Sequence, residues 1–114
     1  MMKLILNGDA KNKHESRQGI YILGQKLVNN HPYWEQQDGS NAIWFRDTYR
    51  QWYIGPKESL GESFSFISGP KSQERSPTQI SNGWLYYDND YGLWIIATAS
   101  EIIFIDLTPG NALL

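Results

Sequence analysis

The chain has 114 residues, no cysteine, ten basic and twelve acidic residues, and a net charge of −2. That length holds one domain, and the lack of cysteine excludes a disulfide framework, a thiolate nucleophile and a cysteine-ligated zinc site. The slight negative charge argues against an electrostatic nucleic-acid binder, and no apolar run approaches the ~20 residues of a membrane-spanning helix.

The opening, MMKLILNGDA, has one lysine and too short an apolar run for a signal-peptide core, so the sequence leans towards an intracellular location. Apolar residues then recur with a period of two, in short runs broken by Gly, Asn, Asp and Pro, which predicts strands throughout and no helix. Residues 3–6 (KLIL) make a first strand that stops at Asn7-Gly8. Residues 9–18 (DAKNKHESRQ) carry no apolar periodicity and read as an exposed loop. A second strand, IYIL at 20–23, lies between Gly19 and Gly24, and residues 26–28 continue the sheet up to a turn at Asn29-Asn30.

Pro32 offers no amide donor and pushes His31 out of helical space, so YWEQQ at 33–37 reads as an edge strand. Next comes SNAIWFRDTYRQWYIG at 40–55, and a related stretch, SNGWLYYDNDYGLWIIA, returns at 81–97. Both begin Ser-Asn and close on Tyr-x-x-Trp, and together they hold four of the five tryptophans. They predict two wide aromatic hairpins, a hint of pseudo-symmetry. In the first, alternation puts Ala42, Trp44 and Arg46 on one face and Ile43 and Phe45 on the other; Trp52 and Ile54 oppose Gln51 and Tyr53.

Between the hairpins, SFSFIS at 63–68 predicts a half-buried strand with Phe64 and Phe66 together, and the polar segment 69–83 predicts a surface loop. LWIIA at 93–97 and EIIFI at 101–105 are apolar on both sides, so they are expected to be central, or covered by a second copy in a homodimer. Residues 108–114 read as a C-terminal tail. The whole is a single all-β domain over 1–107, a compact antiparallel barrel or two-sheet sandwich of about nine short strands. Large rings fill such a small interior, and Trp44, Trp52, Trp84, Trp94, Phe64 and Phe66 are the expected core.

Several elements recur together: GIY at 19–21, VNNHPYW at 28–34, IWF at 43–45, WYIG at 52–55, SP at 76–77 and WLYY at 84–87. In this the chain resembles a small uncharacterised tryptophan- and tyrosine-rich β module of eukaryotic and marine-environmental sequences, with LNGDA where such modules start. The module commonly has Gly-Arg or Gly-Lys after the asparagine, where this chain has Asn30-His31. The resemblance covers nearly the whole chain and implies an independently folding building block, which favours binding or scaffolding over catalysis.

Catalytic signals are thin. His14 sits in a polar segment, His31 precedes a proline, and neither has neighbours spaced for a metal site or a triad; no serine lies in Gly-x-Ser-x-Gly. Asp88-Asn89-Asp90 offers alternate oxygens, as a calcium loop does, but the loop is short and lacks the remaining ligands, so it reads as a hairpin turn. The expectation is therefore a non-enzyme with no cofactor and no metal. All four acidic residues after Arg75 lack basic company, giving residues 76–114 a charge of −4 against +2 for ten basic and eight acidic residues before them, a pattern that reads first as scattered surface charge and, as the sharper alternative, as an acidic face. Binding falls to aromatics beside turns or opposite core positions: Tyr33, Trp34, Tyr49, Tyr53, Tyr86, Tyr87 and Tyr91. A phenol ring on a half-wet surface suits a protein or peptide partner, or a carbohydrate as the alternative.

Overall fold

The computed structural model describes residues 1–107. Nine strands form: β1 (Met2–Leu6), β2 (Gly19–Leu23), β3 (Trp34–Gln36), β4 (Asn41–Arg46), β5 (Gln51–Pro56), β6 (Ile67–Ser68), β7 (Leu85–Asp88), β8 (Leu93–Ile96) and β9 (Ile102–Asp106). The all-β antiparallel class is as the sequence implies. In place of a two-sheet sandwich, however, all nine join one sheet in the order β8-β7-β6-β5-β4-β3-β2-β1-β9. Each of its eight pairings is antiparallel.

That order forces the sheet to curl. Laid flat, nine strands would put β8 and β9 ~38 Å apart, yet Ile96 and Ile102 are joined by a connection that reaches at most ~20 Å. The sheet therefore bends into a half-barrel that brings its two edges within reach of that connection. It does not close, because eight antiparallel steps leave β8 and β9 running the same way, and pairing parallel strands takes a connection of roughly a dozen residues or more.

Curling sorts the side chains into two clusters. The concave face gathers alternate residues from around the sheet, among them Met2, Leu4, Leu6, Tyr21, Trp34, Ile43, Phe45, Trp52, Ile54, Ile67, Tyr86 and Ile102, together with Trp84. On the convex face, Ala42, Trp44, Tyr53 and Tyr33 pack beneath Val28 and Leu60. Hence Asn41 to Phe45 are buried without interruption, and Trp44 and Trp52 occupy opposite sides of the sheet, as their alternation requires.

A buried indole N–H must find an acceptor, and each of three tryptophans finds one in a connecting segment. Trp44 Nε1 donates to the Glu62 carbonyl at 3.1 Å, Trp52 Nε1 to the Glu74 carbonyl at 3.1 Å, and Trp84 Nε1 to the Ile80 carbonyl at 3.0 Å. The polar loop at 69–83 is thereby pinned at two points, and within it Pro77 is fully buried.

Several expectations are corrected. Residues 9–18 are not an exposed loop: α1 (Gly8–His14) runs into a 3-10 turn over Glu15–Arg17. Ala10 and His14, one helical turn apart, are buried, and a two-residue apolar signal is too sparse to stand out in a polar segment. Asn7, the N-cap residue, makes no capping bond; instead the Glu101 carboxylate accepts from the Ala10 amide at 3.4 Å. Residues 26–28 add no strand, and Val28 only bridges His31 across a two-residue loop. Both residues of that loop, Asn29 and Asn30, have positive φ, the geometry of a type I′ turn. β3 is interior rather than an edge, held between β2 and β4.

The largest correction concerns the last two strands. β8 and β9 are the sheet's two edges, not its centre. Trp94 is 44% exposed and Phe64 49% exposed, so neither belongs to the core, and Phe66 is half-buried outside any strand. The two aromatic hairpins are thus alike in sequence but not in place: one spans the middle of the sheet, the other its rim. The tail expected over 108–114 lies outside the described residues.

Candidate functional site

Beyond the cover provided by residues 57–62, the convex face opens into a groove of about 640 Å³. Alternation decides its floor. Trp52, Ile54, Ile67 and Tyr86 point into the half-barrel, so Gln51, Tyr53, Ser68, Leu85 and Tyr87 point out, and all five line the groove. Trp94 of β8 and Tyr49 of the β4–β5 turn stand at its sides, and residues 63–66 run along it.

The walls are tied down. Ser65 and Ser68 share a hydroxyl hydrogen bond of 2.9 Å, Gln51 Nε2 donates to the Gly69 carbonyl at 3.0 Å, and Arg46 Nε donates to Ser63 Oγ at 2.7 Å. Tyr87 faces Trp94 across the β7–β8 pair with ring centroids 5.5 Å apart. Phe64 packs edge-on against Phe66 at 5.1 Å. No lining residue carries a charge, so the groove combines aromatic rings with neutral hydroxyl and amide groups.

The groove borders an open sheet edge. The Ala97 amide bonds the Trp84 carbonyl, and alternation in an antiparallel ladder then directs the backbone groups of Ile95 and Leu93 to β7. Trp94 and Ile96 turn their N–H and C=O groups the other way, where no described strand pairs with them. Leu93 and Ile96, 56% and 75% exposed, complete an apolar edge of the kind that proteins usually blunt with charge or proline.

Of the seven aromatic candidates, Tyr49, Tyr53 and Tyr87 come together in the groove. Tyr53 contributes mainly from below: it is buried, its ring meets Trp44 edge-on at 6.1 Å, and burial raises its pKa. The other four are elsewhere. Tyr33 is buried in the convex cluster, so close over Gly24 that a Cβ there would lie 2.2 Å from its ring. Trp34 faces the concave core, 5.7 Å from Trp52. Tyr86 is buried in the same core with its hydroxyl donating to Asp9 at 2.9 Å; burial first, then Asp9, pushes its pKa up to about 12. Tyr91 is 77% exposed in the β7–β8 turn and does not line the groove. Trp94 and Phe64, which the sequence reading placed in the core, belong to the groove instead. For Trp94 the signal was present in the two-sided apolarity of LWIIA, a pattern shared by central strands and by edges that await a partner; Phe64 lies in SFSFIS, where alternation alone does not tell an inner face from an outer one.

Two of the four acidic C-terminal residues, Asp88 and Asp90, meet a cation. Lys13 is held by Asp88 at 3.3 Å and by Asp90, and Asp90 also donates its amide to Asp88 Oδ1 at 3.0 Å. Asp88-Asn89-Asp90 is therefore a hairpin turn clasping an ammonium group. Among the described residues no three His, Asp or Glu side chains are grouped to hold a metal. His14 is buried and donates Nε2–H to the Tyr87 carbonyl at 2.7 Å, since a carbonyl can only accept. His31 stacks on Phe45 with centroids 4.1 Å apart. Among the described residues no helix is long and apolar enough to cross a membrane.

No protein-family model, curated protein or solved structure matches the chain.

Proposed function

We propose that the protein is a non-catalytic interaction module that takes an extended peptide into the convex groove as an added strand on β8. The observation that carries this reading is the juxtaposition of two features. The backbone groups of Trp94 and Ile96, which no described strand pairs, supply main-chain pairing, and the Tyr87–Trp94–Phe64 surface beside them supplies pockets for alternate side chains, the two ingredients of strand addition. Paired Tyr and Trp rings are also the residues that dominate binding energy at protein interfaces. The independently folding module that the sequence resembles fits the same role.

Selection from a display library of random peptides tests it. Peptides chosen on the wild-type chain should lose binding to Trp94→Ala, which removes the groove wall, and to Ile96→Pro, which removes an amide that points away from β7 while sparing the β7–β8 ladder. Binding that survives both substitutions contradicts the reading.

A second reading rests on the uncharged lining. Gln51, Ser63, Ser65, Ser68 and the tyrosine hydroxyls could bond sugar hydroxyls while the rings stack on a sugar face. A glycan array separates the two. Glycan binding lost in Trp94→Ala but retained in Ile96→Pro supports the carbohydrate reading, because a sugar makes no use of the edge amides.

A further inference from the structure

Arg17 is the one described side chain with a buried polar atom lacking a hydrogen-bond partner. Its guanidinium lies 4.0 Å over the ring of Phe66, its Nε is closed off from solvent without an acceptor, and its only hydrogen bond from Nη1 is a long one of 3.4 Å to Ser16 Oγ. Both acidic groups of the hairpin turn are taken by Lys13, and no carboxylate is seen paired with Arg17 among the described residues. Its neighbours cannot supply one. His14 packs on the same Phe66 ring from 5.9 Å and is itself basic, Lys13 is already engaged by Asp88 and Asp90, and Tyr21 uses its hydroxyl to donate to the Arg17 carbonyl. Desolvation, the largest influence on this guanidinium, works against its charge.

A half-buried cation with one long hydrogen bond is costly unless an anion meets it. An exposed surface arginine would leave its donors to water; here the residue is half-buried and Nε is sealed by protein without an acceptor. The ring beneath it is Phe66, which packs on Phe64, and both phenylalanines line the groove. Arg17 therefore stands beside the groove, behind a ring that forms part of its wall, and its planar fork suits a carboxylate approached end-on through the two Nη atoms.

We infer that the peptide bound in the groove carries a carboxylate, from an aspartate, a glutamate or its own C-terminus, that pairs with Arg17. The inference rests on the peptide reading above and adds a chemical class to it: an extended segment with apolar residues for the aromatic wall and an acidic group at the end nearest α1. No lining residue is charged, and two guanidinium groups flank the groove, Arg17 over Phe66 and Arg46 over Tyr49. Arg46 already donates to Ser63, whereas Arg17 keeps a buried atom without a partner and is the one assigned the carboxylate.

The test is a parallel selection from one display library of random peptides on the wild-type chain, Arg17→Gln and Arg17→Glu, each first verified as folded by circular dichroism. Peptides selected on the wild type should share an acidic residue, or a C-terminal carboxylate, at a fixed distance from their apolar positions. They should bind Arg17→Gln at least about tenfold more weakly, the size of one charge-assisted hydrogen bond, and Arg17→Glu should select basic residues at that position. If selected peptides map to the groove by amide shift changes but show no acidic preference, or keep it in Arg17→Gln, the inference fails while the peptide reading stands. If no selected peptide maps to the groove, both fail. Should Arg17→Glu not fold, Arg17→Lys replaces it: a preserved preference for acid at reduced affinity supports the inference, and an unchanged affinity in both Lys and Gln variants overturns it.

Discussion

Tyr87 and Trp94 stand opposite each other on adjacent strands, in the pairing of the ladder where backbones do not bond and side chains approach most closely. Phe45 and Trp52 make the same kind of cross-strand contact in the first hairpin, at 5.2 Å. One pair faces the concave core and the other faces solvent, and this difference separates residues that hold the fold from residues free to touch a ligand.

Trp52→Ala should cost about 3–5 kcal/mol, the usual range for emptying a buried tryptophan site, with the Glu74 carbonyl also losing its donor. Trp94→Ala should cost about 0.2–1 kcal/mol, the worth of an exposed cross-strand pair. Urea denaturation of both variants checks this. Similar losses in the two would remove the distinction between inner and outer tryptophans.

Gly24→Ala places a methyl group against the buried ring of Tyr33. Tyr33 cannot withdraw without opening the cluster it shares with Ala42, Trp44 and Tyr53, so overpacking should destabilise by roughly 1–3 kcal/mol. The double variant Gly24→Ala/Tyr33→Leu should recover part of that loss by making room, and a thermal melt reads both.

His14 is neutral when buried, and burial is the main reason its pKa falls below 6.5; the charges of Arg17 and Lys13 add to this, while the Tyr87 carbonyl and Asp88 oppose it. The unfolded chain binds a proton near pH 6.5 and the folded chain resists it, so stability should drop as pH falls from 6.5 towards the lower folded value. His14→Gln, which can still donate to the Tyr87 carbonyl, should flatten the dependence of the urea midpoint on pH between 7 and 5.5. An unchanged slope contradicts the assignment.

Glu101 acts in a more acidic window. Its carboxylate accepts from the amides of Thr98, at 2.8 Å, and Ala10, and these bonds, the Thr98 amide first, hold its pKa below 4.5. The stabilisation is fully present above 4.5 and is lost as pH falls through the depressed folded value. Glu101→Gln should cost about 1 kcal/mol at pH 7, the typical worth of a helix cap, and show a shallower acid limb below pH 4.5.

Much of the sheet was legible: residues 3–6 alternate because that strand has one dry face, and the assignment of residues 42–46 and 51–54 to opposite faces follows from strand geometry although both sides of those strands are buried. What could not be read depended on contacts far along the chain. α1 has two apolar-facing residues and takes its cap from position 101. The interior place of β3 follows from the course of β2 and β4, which a local pattern does not carry. Two-sided apolarity in residues 93–96 looks the same for a central strand and for an edge, so Trp94 was assigned to the core and Tyr86, set among tyrosines, to the surface. Tyr49, Tyr53 and Tyr87 line the groove, and each lies beside a turn or opposite a core position, which is a local feature of the sequence.

The most direct test is amide hydrogen exchange at β8 with and without a saturating groove-selected peptide. An added strand should slow exchange of the Trp94 and Ile96 amides by about tenfold or more, and change Leu93 and Ile95, already bonded to β7, much less. Full occupancy by the peptide with the Trp94 and Ile96 amides exchanging as fast as before would contradict strand addition at this edge.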